Sequence, residues 1–237
     1  MKKIILFAMT FSWSMSLLMA NNAILEKTIK ENQGIDVKVV DSKPTDIKGI
    51  QIISLEQPNG FRMPVLASDD GKTIIGISEL LISSDENFKN TLRKVYEESL
   101  KHNKTITDKQ VLEIFKKYDK SNVVKLSGKD KSKTTYMVVD PNCPYCDQEI
   151  QKLEDTLQKS NIELLVVGAL GMNSIQKAAS FYDELKGKKS QKDKITLLKS
   201  VFQKTYQPKQ VNTAQIVEIG KELAQAGVTG VPYIIRK

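Results

Sequence analysis

With 237 residues the chain has room for two small domains, or for one large domain with insertions. Its formal charge of +8 comes from basic residues interleaved with acidic ones. The local excesses at Gly128–Lys133 and Lys186–Lys194 read as solvated loops, so no nucleic-acid partner is expected. Two cysteines and one histidine, His102, cannot complete a four-ligand zinc site within one chain, and neither a metal nor a cofactor is expected.

In chain order, residues 1–20 read as a signal peptide. Lys2 and Lys3 precede a largely apolar, uncharged stretch from Ile4 to Met19, and Ala20 precedes the cut. That stretch is short for a membrane span, and no second long apolar run follows; an uncleaved anchor is the alternative. Residues 21–84 form an N-terminal β-rich domain. A helical stretch, Ala23–Gln33, ends at Gly34 and is followed by strand-like runs at Ile35–Val40, Ile50–Leu55, Phe61–Leu66 and Lys72–Ile77. Turn signals at Lys43-Pro44, Gln57-Pro58-Asn59-Gly60 and Ser68-Asp69-Asp70-Gly71 separate them. Such a sheet buries little by itself and has no cysteine to staple it, so dimerisation is expected.

Residues 85–120 read as a helical linker. It starts at Ser84-Asp85-Glu86, continues with Phe88, Leu92, Val95 and Tyr96 at helical spacing, breaks near Thr105-Ile106-Thr107, and resumes over Asp108–Tyr118. From residue 121 to 237 strands and helices alternate. Strands are predicted at Val123–Leu126, Thr134–Val139, Ile162–Val167 and Val231–Ile235. Helices are predicted at Cys143–Lys159, in a lysine-rich insertion over Asn173–Tyr206, and at Thr213–Ala226. This is an α/β order behind an antiparallel, α+β first half.

The two cysteines, Cys143 and Cys146, fall three positions apart, a spacing that chance would produce roughly one time in a hundred. A strand-to-helix junction at Pro141-Asn142-Cys143-Pro144-Tyr145-Cys146 puts Cys143 at the helix mouth. Proline is tolerated there because its missing N–H would be unpaired anyway. Unsatisfied amides and the positive end of the helix dipole stabilise a thiolate at Cys143. Cys146, one turn deeper, is placed to attack a mixed disulfide formed at Cys143. Haem attachment would need a histidine where Asp147 stands. A plain structural disulfide closing so small a loop stabilises little. A zinc site shared between subunits or completed by carboxylates is a further alternative.

The Cys143-Pro144-Tyr145-Cys146 helix start, with Gly227-Val228-Thr229-Gly230-Val231-Pro232 about 85 residues later, resembles the thioredoxin superfamily, and Pro232 matches that family's cis-proline. More narrowly, the order of segments is similar to that of the DsbC/DsbG family of periplasmic disulfide isomerases. Ala67–Ile75 resembles the hairpin near the end of that family's dimerisation domain, and Asp140–Cys146 resembles its active-site segment.

The resemblance implies a V-shaped homodimer in the periplasm acting on exported proteins with thiols or disulfides, with a membrane redox partner. It implies catalytic Cys143 and Cys146, with Pro144, Tyr145, Val231 and Pro232 modulating them. The fold it implies is a small antiparallel N-terminal dimerisation domain, a helical linker, and a C-terminal thioredoxin-like domain with a helical insertion, without the last strand and helix.

Two residues depart from the pattern. Val231 stands before the proline where DsbC-like proteins usually carry threonine, which brings in a DsbA-like, disulfide-donating oxidase as an alternative. Met137 stands where thioredoxins bury an acid, so another group or water is expected to assist proton handling at the dithiol. A holdase chaperone that needs neither sulfur is the non-enzymatic alternative.

Overall fold

A computed structural model describes residues 21–77 and 82–237; the expected signal peptide, 1–20, lies outside them. The chain divides into two compact units between Ile106 and Thr107. Among the described residues no helix is long and apolar enough to cross a membrane.

The first unit opens with helix α1 (21–33). A four-stranded antiparallel meander follows: β1 (Lys38–Pro44), β2 (Ile50–Glu56), β3 (Arg62–Ser68) and β4 (Ile74–Gly76). Strand β1 starts three residues later than the sequence predicts and runs through Lys43-Pro44 instead of turning there. The turn is made by the residues that follow: the Thr45 hydroxyl accepts from the Ile47 N–H and donates to the Ile50 carbonyl. Pro44 ends an edge strand, where a missing N–H costs the ladder little.

In β2 both Ile52 and Ile53 are buried although they point to opposite faces. Ile53 and Leu55 pack with Leu25 of α1, whereas Ile52 packs with Phe88, Leu92 and Val95 of helix α2 (Glu86–Lys117). Covering both faces explains why the strand is apolar without alternation.

Helix α2 begins at Asp85, whose carboxylate accepts the Phe88 N–H at 3.0 Å as an N-cap. It then runs unbroken for 32 residues, through the expected break at Thr105–Thr107. No glycine or proline interrupts it, and the Thr105 hydroxyl bonds back to the Lys101 carbonyl, which satisfies the side chain without leaving the helix. The first part of α2 belongs to the first unit's core. Its last turns, with Val111, Ile114 and Phe115, belong to the second unit's core, as does Tyr118 just beyond them.

The second unit holds a mixed sheet in the order β5-β7-β6-β8, formed by β5 (Val124–Leu126), β6 (Thr134–Val139), β7 (Asn161–Val166) and β8 (Tyr233–Arg236). Strands β6 and β7 are parallel and the outer pairs antiparallel. Side chains alternate between two covered faces. Met137, Val139, Ile162, Leu164 and Val166 pack under α3 (Pro144–Gln151), α4 (Leu153–Leu157), α5 (Met172–Leu185) and α6 (Gln191–Val201). Val138 and Leu165 pack on the opposite face with the end of α2 and with α7 (Ala214–Gln225).

Three expectations are refined here. The predicted helix Cys143–Lys159 is two helices that meet at Lys152, where φ and ψ of −93° and 11° leave the helical range. The insertion is likewise two helices, α6 being capped by the Ser190 hydroxyl on the Asp193 N–H. The last strand begins at Tyr233, two residues later than predicted.

One hydrogen bond ties α5 to the sheet. The Tyr182 hydroxyl accepts the Val166 N–H at 2.8 Å in a buried setting, and burial pushes the phenol's pKa well up. Tyr182→Phe strands that N–H and is expected to cost about 1–3 kcal/mol in urea unfolding. The raised value also sets a sign. This contribution is complete below the free tyrosine range, near ~10, and is lost as pH rises beyond it, because only the unfolded chain ionises there. Wild-type stability is therefore expected to fall in alkaline solution more steeply than that of Tyr182→Phe.

Candidate active site

The active-site segment begins where β6 ends. After Val139 the chain leaves the sheet at Asp140, turns through Pro141 and Asn142, and enters α3 at Pro144. The site thus lies at the carboxyl end of a parallel strand pair and at the mouth of a helix, a position where open α/β sheets place reacting groups.

Cys143 is the N-cap of α3, with φ and ψ of −87° and 118°. Its Sγ accepts the Cys146 N–H at 3.4 Å, so the sulfur occupies the place that a serine or aspartate oxygen takes in an ordinary cap. On its other side the Cys143 thiol donates to the Val231 carbonyl at 3.4 Å. That contact joins residues 88 apart in sequence. It is delivered by the loop after α7, where Gly227 takes a φ of +88° so that the Gly227 and Val228 N–H groups close the helix end on the Ala224 and Leu223 carbonyls. The Val231–Pro232 peptide is cis.

Cys146 is fully buried, and its Sγ accepts the Asp140 N–H at 3.4 Å. Burial is the main reason its thiol pKa is pushed well up; the Asp140 N–H opposes this, while Cys143 and the Asp140 carboxylate add to it. Cys143 itself is only 5% exposed, but it lines a cavity of about 650 Å³ together with Tyr145, Leu170, Val217, Val228 and Val231. No charged side chain lines that cavity among the described residues. Pro144 and Tyr145 face outward, Tyr145 with 69% of its surface exposed. The structure therefore brings Cys143, Pro144, Tyr145 and Val231 around one opening, with Cys146 buried behind Cys143 and Pro232 next in the chain after Val231. Both cysteines are free thiols.

Met137 is buried in the core, but Asp140, three residues further along and wholly buried, supplies a carboxylate in the active-site turn. Its Oδ1 accepts the Asn142 N–H at 2.7 Å and the Ser174 hydroxyl at 2.9 Å, and its Oδ2 accepts the Leu170 N–H at 2.9 Å. Ser174 and Lys177, both on α5, have no signal of their own in the sequence. Asp140 had a weak one, an acid directly following an apolar strand. The approach of α5 depends on Gly168, where an added Cβ would lie 2.3–2.6 Å from Ile175 atoms, including its backbone N and Cα.

Among the described residues no group of three or more histidine, cysteine, aspartate or glutamate side chains is placed to hold a metal ion.

Residues 25–111 match the family model described as the N-terminal domain of the disulfide isomerase DsbG. Among solved structures the chain is similar to Helicobacter pylori DsbG, with 24% identity over 91% of this chain and 100% of that one, at a TM-score of 0.52. A linker-deleted variant of Proteus mirabilis ScsC is 16% identical over 67% of this chain and 88% of its own, at a TM-score of 0.49. No curated protein matches. Residues 25–111 are thus similar to a DsbG N-terminal domain, and the fold is DsbG-like: an antiparallel N-terminal sheet, a helix, and a thioredoxin-like mixed sheet with helices.

Proposed function

We propose that this DsbC/DsbG-like chain is a thiol–disulfide oxidoreductase that acts as a disulfide isomerase or reductase on exported proteins. The observation that carries this reading is the Cys143 sulfur at the N-terminus of α3, accepting an amide N–H, with a second thiol one turn deeper. The thiolate is the attacking form, and the Cys143 sulfur is the one that reaches the cavity. The thiolate attacks a substrate disulfide and forms a mixed disulfide, releasing one substrate thiolate. That thiolate can attack elsewhere in the substrate, which rearranges the pairing. Alternatively Cys146 attacks Cys143 Sγ, which releases the second substrate sulfur and leaves the substrate reduced by two electrons.

The apolar cavity beside Cys143 suits partly unfolded chains that expose uncharged segments. The DsbG-type N-terminal domain supports a homodimer, and the lysine-led apolar leader at 1–20 supports export to the periplasm. A reductase needs its dithiol replenished, which is the role of the membrane redox partner in this reading.

Val231 favours a second reading, a DsbA-like oxidase that donates its disulfide. Thiol trapping in the native compartment separates the two. Predominantly reduced Cys143 and Cys146 are the expected result, whereas a predominantly oxidised pair assigns the donor role instead.

A further inference from the structure

The lysine excess at Lys186–Lys194, which reads in sequence as a solvated loop, converges on a cavity in the fold. Lys186 and Lys188, just past the end of α5, and Lys194 on α6 meet Lys120, just ahead of β5, around an opening of about 470 Å³. That volume falls in the range of small-molecule pockets. The cavity lies within the second unit, and neither cysteine lines it.

Four lysines meet one carboxylate there, that of Asp183. Lys186 already pairs with it at 3.3 Å, and Lys209 reaches it at 4.0 Å. Lys120, Lys188 and Lys194 have no carboxylate within 4.0 Å among the described residues. Like charges gathered at one opening repel, and an anion seated among them removes that repulsion. Helix α7 adds the same sign. Its first turn lines the cavity through Gln215, and its N-cap Thr213 makes no side-chain hydrogen bond. Asn212 takes the Ala214 N–H, but the Gln215 N–H has no partner among the described residues. The positive end of that helix is therefore open to a ligand.

Two buried polar side chains on the cavity wall narrow the chemistry. Asn122, 3% exposed, has a side-chain carbonyl oxygen without any hydrogen-bond partner, the one such buried side-chain atom among the described residues. Tyr182 accepts the Val166 N–H, but its own O–H has no acceptor among the described residues. Buried donors and acceptors left unmet are costly, so each fits a partner that the chain does not supply. Ammonium groups, a helix N-terminus and a phenol O–H suit the oxygens of a dianion. The Asn122 oxygen needs a donor, which a hydroxyl offers and a phosphate dianion does not. We propose that this cavity binds a polyol phosphate, with the phosphate among Lys120, Lys188 and Lys194 and a hydroxyl on Asn122 Oδ1. Two sources carry that chemistry, a free glycerol or sugar phosphate and the headgroup of an anionic phospholipid. The site is separate from the dithiol, and the inference does not rest on the oxidoreductase reading.

The test titrates the full chain calorimetrically with glycerol 3-phosphate and with inorganic phosphate, and floats it with vesicles of phosphatidylglycerol or phosphatidylcholine. Glycerol 3-phosphate is expected to saturate one site with a Kd on the order of 0.1 mM, about tenfold tighter than inorganic phosphate. Lys120→Glu and Lys194→Glu are each expected to weaken it about tenfold or more. Lys38→Glu, the same charge change on β1 of the first unit, is expected to leave it unaltered. Asn122→Ala is expected to erase the preference over inorganic phosphate, and the lysine variants keep the test decisive should that protein not fold. If phosphatidylglycerol vesicles also capture the chain and Lys120→Glu abolishes capture, the headgroup is the source; otherwise it is the soluble ester, and both outcomes support the proposal. Absence of saturable ester binding up to about 10 mM overturns it. So does inorganic phosphate binding as tightly as the ester, which would mean an anion site alone. Ester binding that Lys38→Glu weakens as much as Lys120→Glu is attraction to net charge, and it overturns the proposal too.

Discussion

Cys143→Ser is expected to reduce reshuffling of a scrambled multi-disulfide protein by more than ~10³-fold, to the uncatalysed level. A serine hydroxyl at the same N-cap can accept the Cys146 N–H as well as sulfur does, so helix α3 keeps its cap and the fold is retained. What disappears is an ionisable, polarisable atom able to form a bond to sulfur. Cys146 cannot stand in for it, since that thiol is wholly buried and held neutral by its surroundings. Cys146→Ser is the informative partner. Attack by Cys143 survives, the escape route does not, and covalent complexes with substrate are expected to accumulate on non-reducing gels. Regain of native activity in a scrambled ribonuclease is a suitable measurement, and a serine variant at 143 that reshuffles like wild type sinks the assignment.

The second large effect is on stability. Phe181→Ala is expected to cost about 3–5 kcal/mol, a substantial share of the roughly 5–15 kcal/mol that holds a domain together. Phe181 is fully buried on α5, edge-on to Tyr182 at a centroid distance of 5.1 Å, in the core shared by α3, α4, α5 and α6. Truncation leaves a void that close-packed neighbours cannot fill. A fall in melting temperature on the order of 10 °C in circular dichroism checks it. The same helix carries Ser174 and Lys177, so loosening it should also disturb the contacts of Asp140 before the sheet melts. An unchanged melting curve would mean that α5 is not packed as described.

Much of the site was legible in local pattern. Cysteines at a spacing of one helical turn, with proline between them and an apolar strand ahead, announce a helix mouth carrying sulfur, and α3 starts where that pattern places it. The strands predicted at Thr134–Val139 and Ile162–Val167, the latter apolar except for Glu163, form the middle of the sheet, and each face has its own layer of helices. Local signals failed where two tendencies compete. Thr105-Ile106-Thr107 reads as a break, yet α2 runs through it because back-bonded threonine and packing on both sides outweigh a weak propensity.

Composition and spacing by themselves singled out the cysteine pair, its place at a helix mouth, and a β-rich first half ahead of an α/β second half, because helix caps, proline constraints and strand periodicity act over a few residues. Only the tertiary structure decided that Val231 delivers its carbonyl to Cys143, and that Asp140 is sealed among Asn142, Leu170 and Ser174. An aspartate after a strand is ordinarily solvated. Whether it becomes buried depends on which surfaces close over it, and here those surfaces come from α5 and the loop before it, some thirty residues away in the chain.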